Sequence, residues 1–121
     1  MRSKWIEYKG RKIFYQDFSG HFFNYDAVKE ELAEVQKIVT AQPLGSLLVF
    51  SDFTDTTIAG DLMTVLNESS RLTKDHVAKT AVVGVTGIKR RLADMLTKLT
   101  GQPLKYFEDD YLAKEWLIEE R

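Results

Sequence analysis

The chain has 121 residues, 44% of them hydrophobic and 29% charged, and its 17 basic and 18 acidic side chains leave a net charge of -1. That is one domain's worth of sequence, long enough to enclose a core without a metal or disulfide, and the charge balance excludes a strongly basic nucleic-acid footprint. There is no cysteine, which excludes disulfides, zinc–thiolate sites, iron–sulfur clusters and thiol nucleophiles.

Only His21 and His76 carry imidazoles, and no His-x-x-x-His spacing exists. A zinc hydrolase of the helical type is therefore not expected. Neither a metal nor a cofactor is expected. Met1-Arg2-Ser3-Lys4-Trp5 runs directly into a charged, strand-like segment and lacks the apolar stretch of a signal peptide. No apolar run approaches the ~20 residues of a membrane span. A cytoplasmic location is the expectation.

Residues 5–9 and 12–18 are rich in aromatic and β-branched side chains, with Gly10-Arg11 between them where a hairpin turn would sit. In the second run Phe14 and Phe18 share one face, and Ile13 and Tyr15 share the other. Two antiparallel strands are predicted. Ser19-Gly20 breaks that pattern. From Tyr25 to about Thr40 the period becomes helical, with Val28, Leu32, Val35 and Val39 on one face. Asn24 is the expected N-cap. Glu30, Glu31 and Glu34 read as a solvated face. Gln42-Pro43-Leu44-Gly45 stops the helix.

Residues 47–53 form a nearly continuous apolar run, as expected of a strand buried on both faces. A second helix is predicted over 58–74, with Leu62, Val65, Leu66 and Leu72 inward. His76 reads as a solvated loop residue after it. Another buried strand is expected over 77–85. Ile88, Leu92, Met95, Leu96 and Leu99 form the stripe of a third helix, ended by Gly101 and Pro103. A short strand over 104–107 precedes a last helix over 109–120, with Leu112, Trp116 and Leu117 inward. Trp5 and Trp116 read as packing residues.

The predicted fold is a single α/β domain over residues 1–121. It has a mixed five-stranded sheet, opened by a β-hairpin and continued by β-α repeats with right-handed crossovers, and four main helices.

Ligands of open α/β sheets bind beyond the carboxyl ends of the parallel strands. Three clusters are expected there: Ser51-Asp52-Phe53-Thr54-Asp55-Thr56-Thr57, Thr86-Gly87-Ile88-Lys89-Arg90-Arg91, and Glu108-Asp109-Asp110. The first has a bland reading in turn chemistry and helix capping. Its sharper reading is a ligand site or phosphoacceptor involving Asp52, Thr54, Asp55, Thr56 and Thr57. In the second, Lys89 and Arg90 stand in a first helical turn, where the dipole disfavours cations. With Thr86 and Gly87 they would suit a bound anion; otherwise they point into solvent. Gly84-x-x-Gly87-x-Lys89 lacks the spacing and ending of a Walker motif. In His21-Phe22-Phe23-Asn24-Tyr25, Phe23 could staple onto Val28. Alternatively, Phe22 and Phe23 form an exposed apolar lip for a lipid-like ligand or a partner.

The order of elements resembles the SpoIIAA-like group of the STAS superfamily, small bacterial domains also described as STAS/Sec14-type. So do Leu47-Leu48-Val49-Phe50-Ser51-Asp52-Phe53-Thr54, Ala81-Val82-Val83-Gly84-Val85-Thr86-Gly87, and Leu104-Lys105-Tyr106-Phe107-Glu108-Asp109 with Ala113-Lys114-Glu115-Trp116-Leu117. The resemblance spans nearly the whole chain. It implies an α/β regulatory or binding domain. Anti-sigma-factor antagonists of that superfamily carry Asp-Ser-Ser at a helix start, with the first serine the phosphoacceptor. Asp55-Thr56-Thr57 resembles a threonine version, which would make Thr56 the acceptor. The Sec14-type label implies a small apolar ligand or lipid.

No nucleophile beside a base is visible, so a non-enzymatic function is expected. The leading expectation is a regulatory or binding domain acting through protein or small-ligand contacts at the strand-end surface. The alternatives are a carrier or sensor of a small apolar or anionic ligand, and a Thr56 phospho-switch. A homodimer is one form the protein partner could take. A phosphorelay receiver is rejected, because Phe18-Ser19-Gly20 stands where its acidic pair belongs and Glu108 replaces its lysine.

Overall fold

The structure is a computed structural model that describes residues 1–58, 61–85 and 104–119. The expected third helix, the Thr86, Gly87, Lys89 and Arg90 anion site, and Arg91 lie outside the described residues.

Strands β1 (Lys4–Tyr8) and β2 (Arg11–Asp17) pair antiparallel, with Trp5 opposite Phe14 and Tyr8 opposite Arg11. The turn between them is Lys9-Gly10, one residue earlier than expected. Both residues have positive φ, 47° and 79°. Two such residues in a two-residue loop match the twist of the flanking strands, and glycine takes the second without strain.

Helix α1 (Tyr25–Thr40) starts where its periodicity starts. Asn24 caps it, its side chain accepting from the Ala27 N–H at 3.3 Å. Strand β3 (Leu47–Asp52), helix α2 (Asp61–Thr73), a 3-10 turn (Lys74–His76), strand β4 (Val77–Val83), strand β5 (Leu104–Phe107) and helix α3 (Asp110–Ile118) follow. Asp109 caps α3 through the Leu112 N–H at 3.1 Å. No described helix is long and apolar enough to cross a membrane.

The sheet order is β1-β2-β3-β4-β5, with β2 to β5 parallel and β1 antiparallel at the edge. Strands added in one direction by right-handed crossovers place their helices on one face. Accordingly α1 and α2 share a core with Phe14, Phe18, Val49, Phe53 and Val82. The opposite face carries Ile13, Leu48, Phe50, Ala81 and Val83 under Ala113 and Leu117 of α3. Strand alternation divides β2 between the two cores, as the sequence predicts.

Four expected orientations are corrected. Leu72 is 63% exposed, and Ser69 and Thr73 take the inward positions of α2 instead. Leu112 is 56% exposed, while Ala113 faces the sheet. His76 is part-buried, its Nδ1 2.7 Å from the Gln42 carbonyl that it bonds. Glu31 is buried rather than solvated. Its carboxylate accepts from the Arg2 N–H at 3.0 and 3.1 Å and from the Ser3 N–H at 2.8 Å. Burial alone would raise its pKa, but hydrogen bonds from Ser3 and from the Arg2 and Ser3 backbones outweigh burial and hold it below the ordinary glutamate range.

Candidate functional site

Beyond their last paired residues, β2 and β3 continue to bond through their loops. The Phe18 N–H donates to the Asp52 carbonyl at 2.9 Å and the Gly20 N–H to Thr54 at 2.8 Å. The Phe22 N–H donates to Asp55 and the Thr57 N–H returns to Phe22, both at 2.8 Å. The Phe53 N–H continues the ladder to β4 through the Val83 carbonyl at 2.9 Å. This zipper occupies the ends of β2 and β3. A strand-end crevice arises where strand order reverses. The order here runs monotonically, so the described strands have no reversal to open one.

Within the zipper the expected site residues separate. Asp52 is half-buried and both its oxygens are engaged. Oδ2 accepts from the Tyr15 hydroxyl at 2.6 Å and Oδ1 from the Thr54 N–H at 2.9 Å. Burial, then the hydrogen bond and charge of Asp52, push the Tyr15 phenol far above its ordinary value, so it stays protonated and donates. Thr54 and Asp55 are exposed and Thr57 is half-buried. Thr56 is only 6% exposed. Its hydroxyl donates to the Phe18 carbonyl and accepts from the His21 N–H at 3.1 Å. In this position it bonds the two loops together, and its oxygen is not presented to solvent. Among the described residues, no three His, Asp or Glu side chains are placed to hold a metal ion.

Phe22 and Phe23 are 59% and 73% exposed. Neither ring is packed into the core. Phe22 has φ 50° and Asp55 φ 57°. A left-handed residue other than glycine costs roughly 1–2 kcal/mol. At Phe22 the two zipper bonds hold the backbone in that conformation.

A cavity lies elsewhere among the described residues, between the sheet and α2. Its volume is about 140 Å³. Val49, Val82, Leu66 and Tyr106 supply apolar walls, and Gln16, Ser51 and Thr80 supply polar groups from three adjacent strands. Gln16 pairs with Ser51 in the ladder, and the Ser51 hydroxyl donates to Gln16 Oε1 at 3.0 Å. The C-terminal half of α2 contributes Asn67, Ser69, Ser70 and Thr73 to the cavity lining. Leucines at those positions would fill it. Thr73 returns its hydroxyl to the Ser69 carbonyl at 2.9 Å and so does not reach across. Asn67 Oδ1 is buried and has no hydrogen-bond partner.

Of these residues only Ser51 belongs to an expected cluster. Gln16, Asn67 and Thr80 are not singled out by any motif. For Gln16 and Ser51 the signal is a break in alternation: Phe14-x-Gln16-x-Phe18 and Val49-x-Ser51-x-Phe53 each place one polar residue on a face that is otherwise apolar.

A solved structure has the same architecture: an uncharacterised protein of the DUF3478 family from Shewanella loihica, with a SpoIIAA-like fold, superposes with a TM-score of 0.72 over 95% of this chain and 91% of that one. The fold is SpoIIAA-like. At 10% identity the likeness concerns fold alone. No family model and no curated protein matches the chain. The SpoIIAA-like sheet with its opening hairpin accounts for the element order read from the sequence.

Proposed function

We propose that this SpoIIAA-like domain is a non-enzymatic receptor or carrier for one small, mostly apolar molecule. The observation that supports it is the cavity between α2 and the sheet, an apolar chamber with a polar floor of Gln16, Ser51 and Thr80. Concave, mainly apolar sites with a few convergent polar groups are the usual form of a small-molecule site. A cavity of about 150 Å³ takes benzene, and this one is about 140 Å³. The occupant is therefore on the scale of a single ring rather than a diacyl lipid.

Toluene and phenol should each give saturable chemical-shift changes at Leu66 and Val82 and raise the melting temperature. Ser69→Met, which puts a flexible side chain into the chamber, should abolish both responses while the protein stays folded. Failure of both probes to bind wild-type protein would mean that the chamber is filled from within the chain, and the reading would fall.

The Phe22–Phe23 lip favours a second reading, contact with another protein at the strand-end surface. Two exposed rings on a loop already fixed by hydrogen bonds lose little freedom on docking. A second copy of the chain is the simplest such partner. The change Phe22→Ser with Phe23→Ser should leave the melting temperature nearly unchanged and shift sedimentation from dimer to monomer. A monomer in both proteins at every concentration would remove this reading.

A further inference from the structure

Resting on the cavity reading above, we propose that the occupant carries a hydrogen-bond acceptor and that the Gln16 Nε2 group donates to it. The class is a small, mostly apolar ring bearing a carbonyl oxygen, not a plain hydrocarbon.

A side-chain amide has one acceptor oxygen and two N–H donors. At Gln16 the oxygen is taken, because it accepts from the Ser51 hydroxyl at 3.0 Å. Among the described residues Nε2 makes no hydrogen bond, and it is not sealed off: the one buried, unpaired side-chain atom there is Asn67 Oδ1. The open side of Gln16 is the chamber. Alternation puts its side chain on the face that carries Phe14, Phe18, Val49 and Phe53, all buried, and Leu32 and Val35 of α1 belong to the same core. The register of β1, with Lys4 opposite Tyr15, brings buried Ser3 to its flank. Gln16 is nevertheless only half-buried. Its strand is paired on both edges, so the surface that remains belongs to the side chain, and the space it meets is the cavity it lines. A hydrocarbon seated there would cover the two N–H groups and leave them unpaired; a carbonyl oxygen would pair one. A carbonyl also brings no charge, and the described walls hold no Lys, Arg, His, Asp or Glu to balance one. Sites built to hydrogen-bond a ligand group reject analogues that lack it far more strongly than apolar pockets discriminate by shape.

The test uses cyclohexanone and methylenecyclohexane, which differ by an oxygen for a methylene, with wild type and Gln16→Met. Because the ketone is better solvated in water, the ratio of the two affinities is compared between proteins rather than read in one. The preference for the ketone should fall by about fivefold or more in Gln16→Met, the size of a lost hydrogen bond. Methylenecyclohexane should bind the variant as well as, or better than, wild type. In wild type alone, the Gln16 side-chain N–H resonances should move downfield with the ketone and not with the hydrocarbon. Neither probe has an aromatic ring to shift them by itself, and this readout stands even where Gln16→Met does not fold. If methylenecyclohexane alone binds wild type, or both probes bind it and the Gln16 resonances answer the two alike, the assignment of Gln16 is overturned while the cavity reading stands. An affinity ratio unchanged in a folded Gln16→Met protein overturns it in the same way. If neither probe binds wild type, both readings fail together.

Discussion

Gly84→Ala is expected to lower the melting temperature by about 10–20 °C, for a loss of about 3–5 kcal/mol. Gly84 follows β4 with φ +86°, and a Cβ there would lie 2.3 Å from the Thr54 nitrogen and 2.6 Å from the Phe53 carbonyl carbon. Both are backbone atoms of the zipper, so neither can swing aside as a flexible side chain would. The Phe53 N–H bonds the Val83 carbonyl just before Gly84, which ties the two segments at this closest point. Gly45→Ala is the control. Gly45 has φ +66° and open space where the alanine methyl would lie. It should therefore show only the left-handed penalty, roughly 1–2 kcal/mol. Thermal denaturation of the two variants side by side separates the effects. Equal losses would mean that the close approach at Thr54 contributes nothing.

Thr56→Val is expected to cost about 2–4 kcal/mol, and Thr56→Glu more. The valine keeps the shape but removes a hydroxyl that donates to the Phe18 carbonyl and accepts from the His21 N–H. Each group left without a partner costs about 1–3 kcal/mol when buried. The glutamate adds a charge at a position only 6% exposed, in a segment that already carries Asp52 and Asp55. A phosphoryl group on this oxygen would meet the same obstacles, because its formation breaks the bond to Phe18 and brings nearly two negative charges to the same loop. In this structure the Thr56 hydroxyl joins two loops. Chemical denaturation measures both losses. A Thr56→Glu protein as stable as wild type, with unchanged amide shifts at Phe18 and His21, would show that the loop opens freely and that neither hydrogen bond of the Thr56 hydroxyl contributes to stability.

Much of the architecture is determined by the sequence alone. Alternation puts Phe14 and Phe18 on one face of β2 and Ile13 on the other, and both cores follow from it. Helical period and an Asn24 cap set α1 at Tyr25–Thr40. These signals are local: each is written in residues within a few positions of one another. The orientations that fail are those where two faces compete over a short span. In α2 the apolar Leu72 lies outside while Ser69 and Thr73 lie inside, because Leu62, fully buried, fixes the rotation of the helix.

Only tertiary structure decides the rest. Glu31 reads as one more charge on a polar face until the chain near Arg2 and Ser3 passes over it and supplies donors twenty-eight and twenty-nine residues away. Thr56 reads as exposed turn chemistry until the loop after β2 closes on it. The cavity has no contiguous motif at all, since Gln16, Ser51, Asn67 and Thr80 come from four elements. Each is an ordinary polar residue in its own segment. Strand order brings three of them side by side, and small side chains on α2 leave the space above them. A pattern of hydrophobicity specifies which faces turn inward, but the volume left between those faces depends on how whole elements pack, and that is where this protein keeps its candidate site.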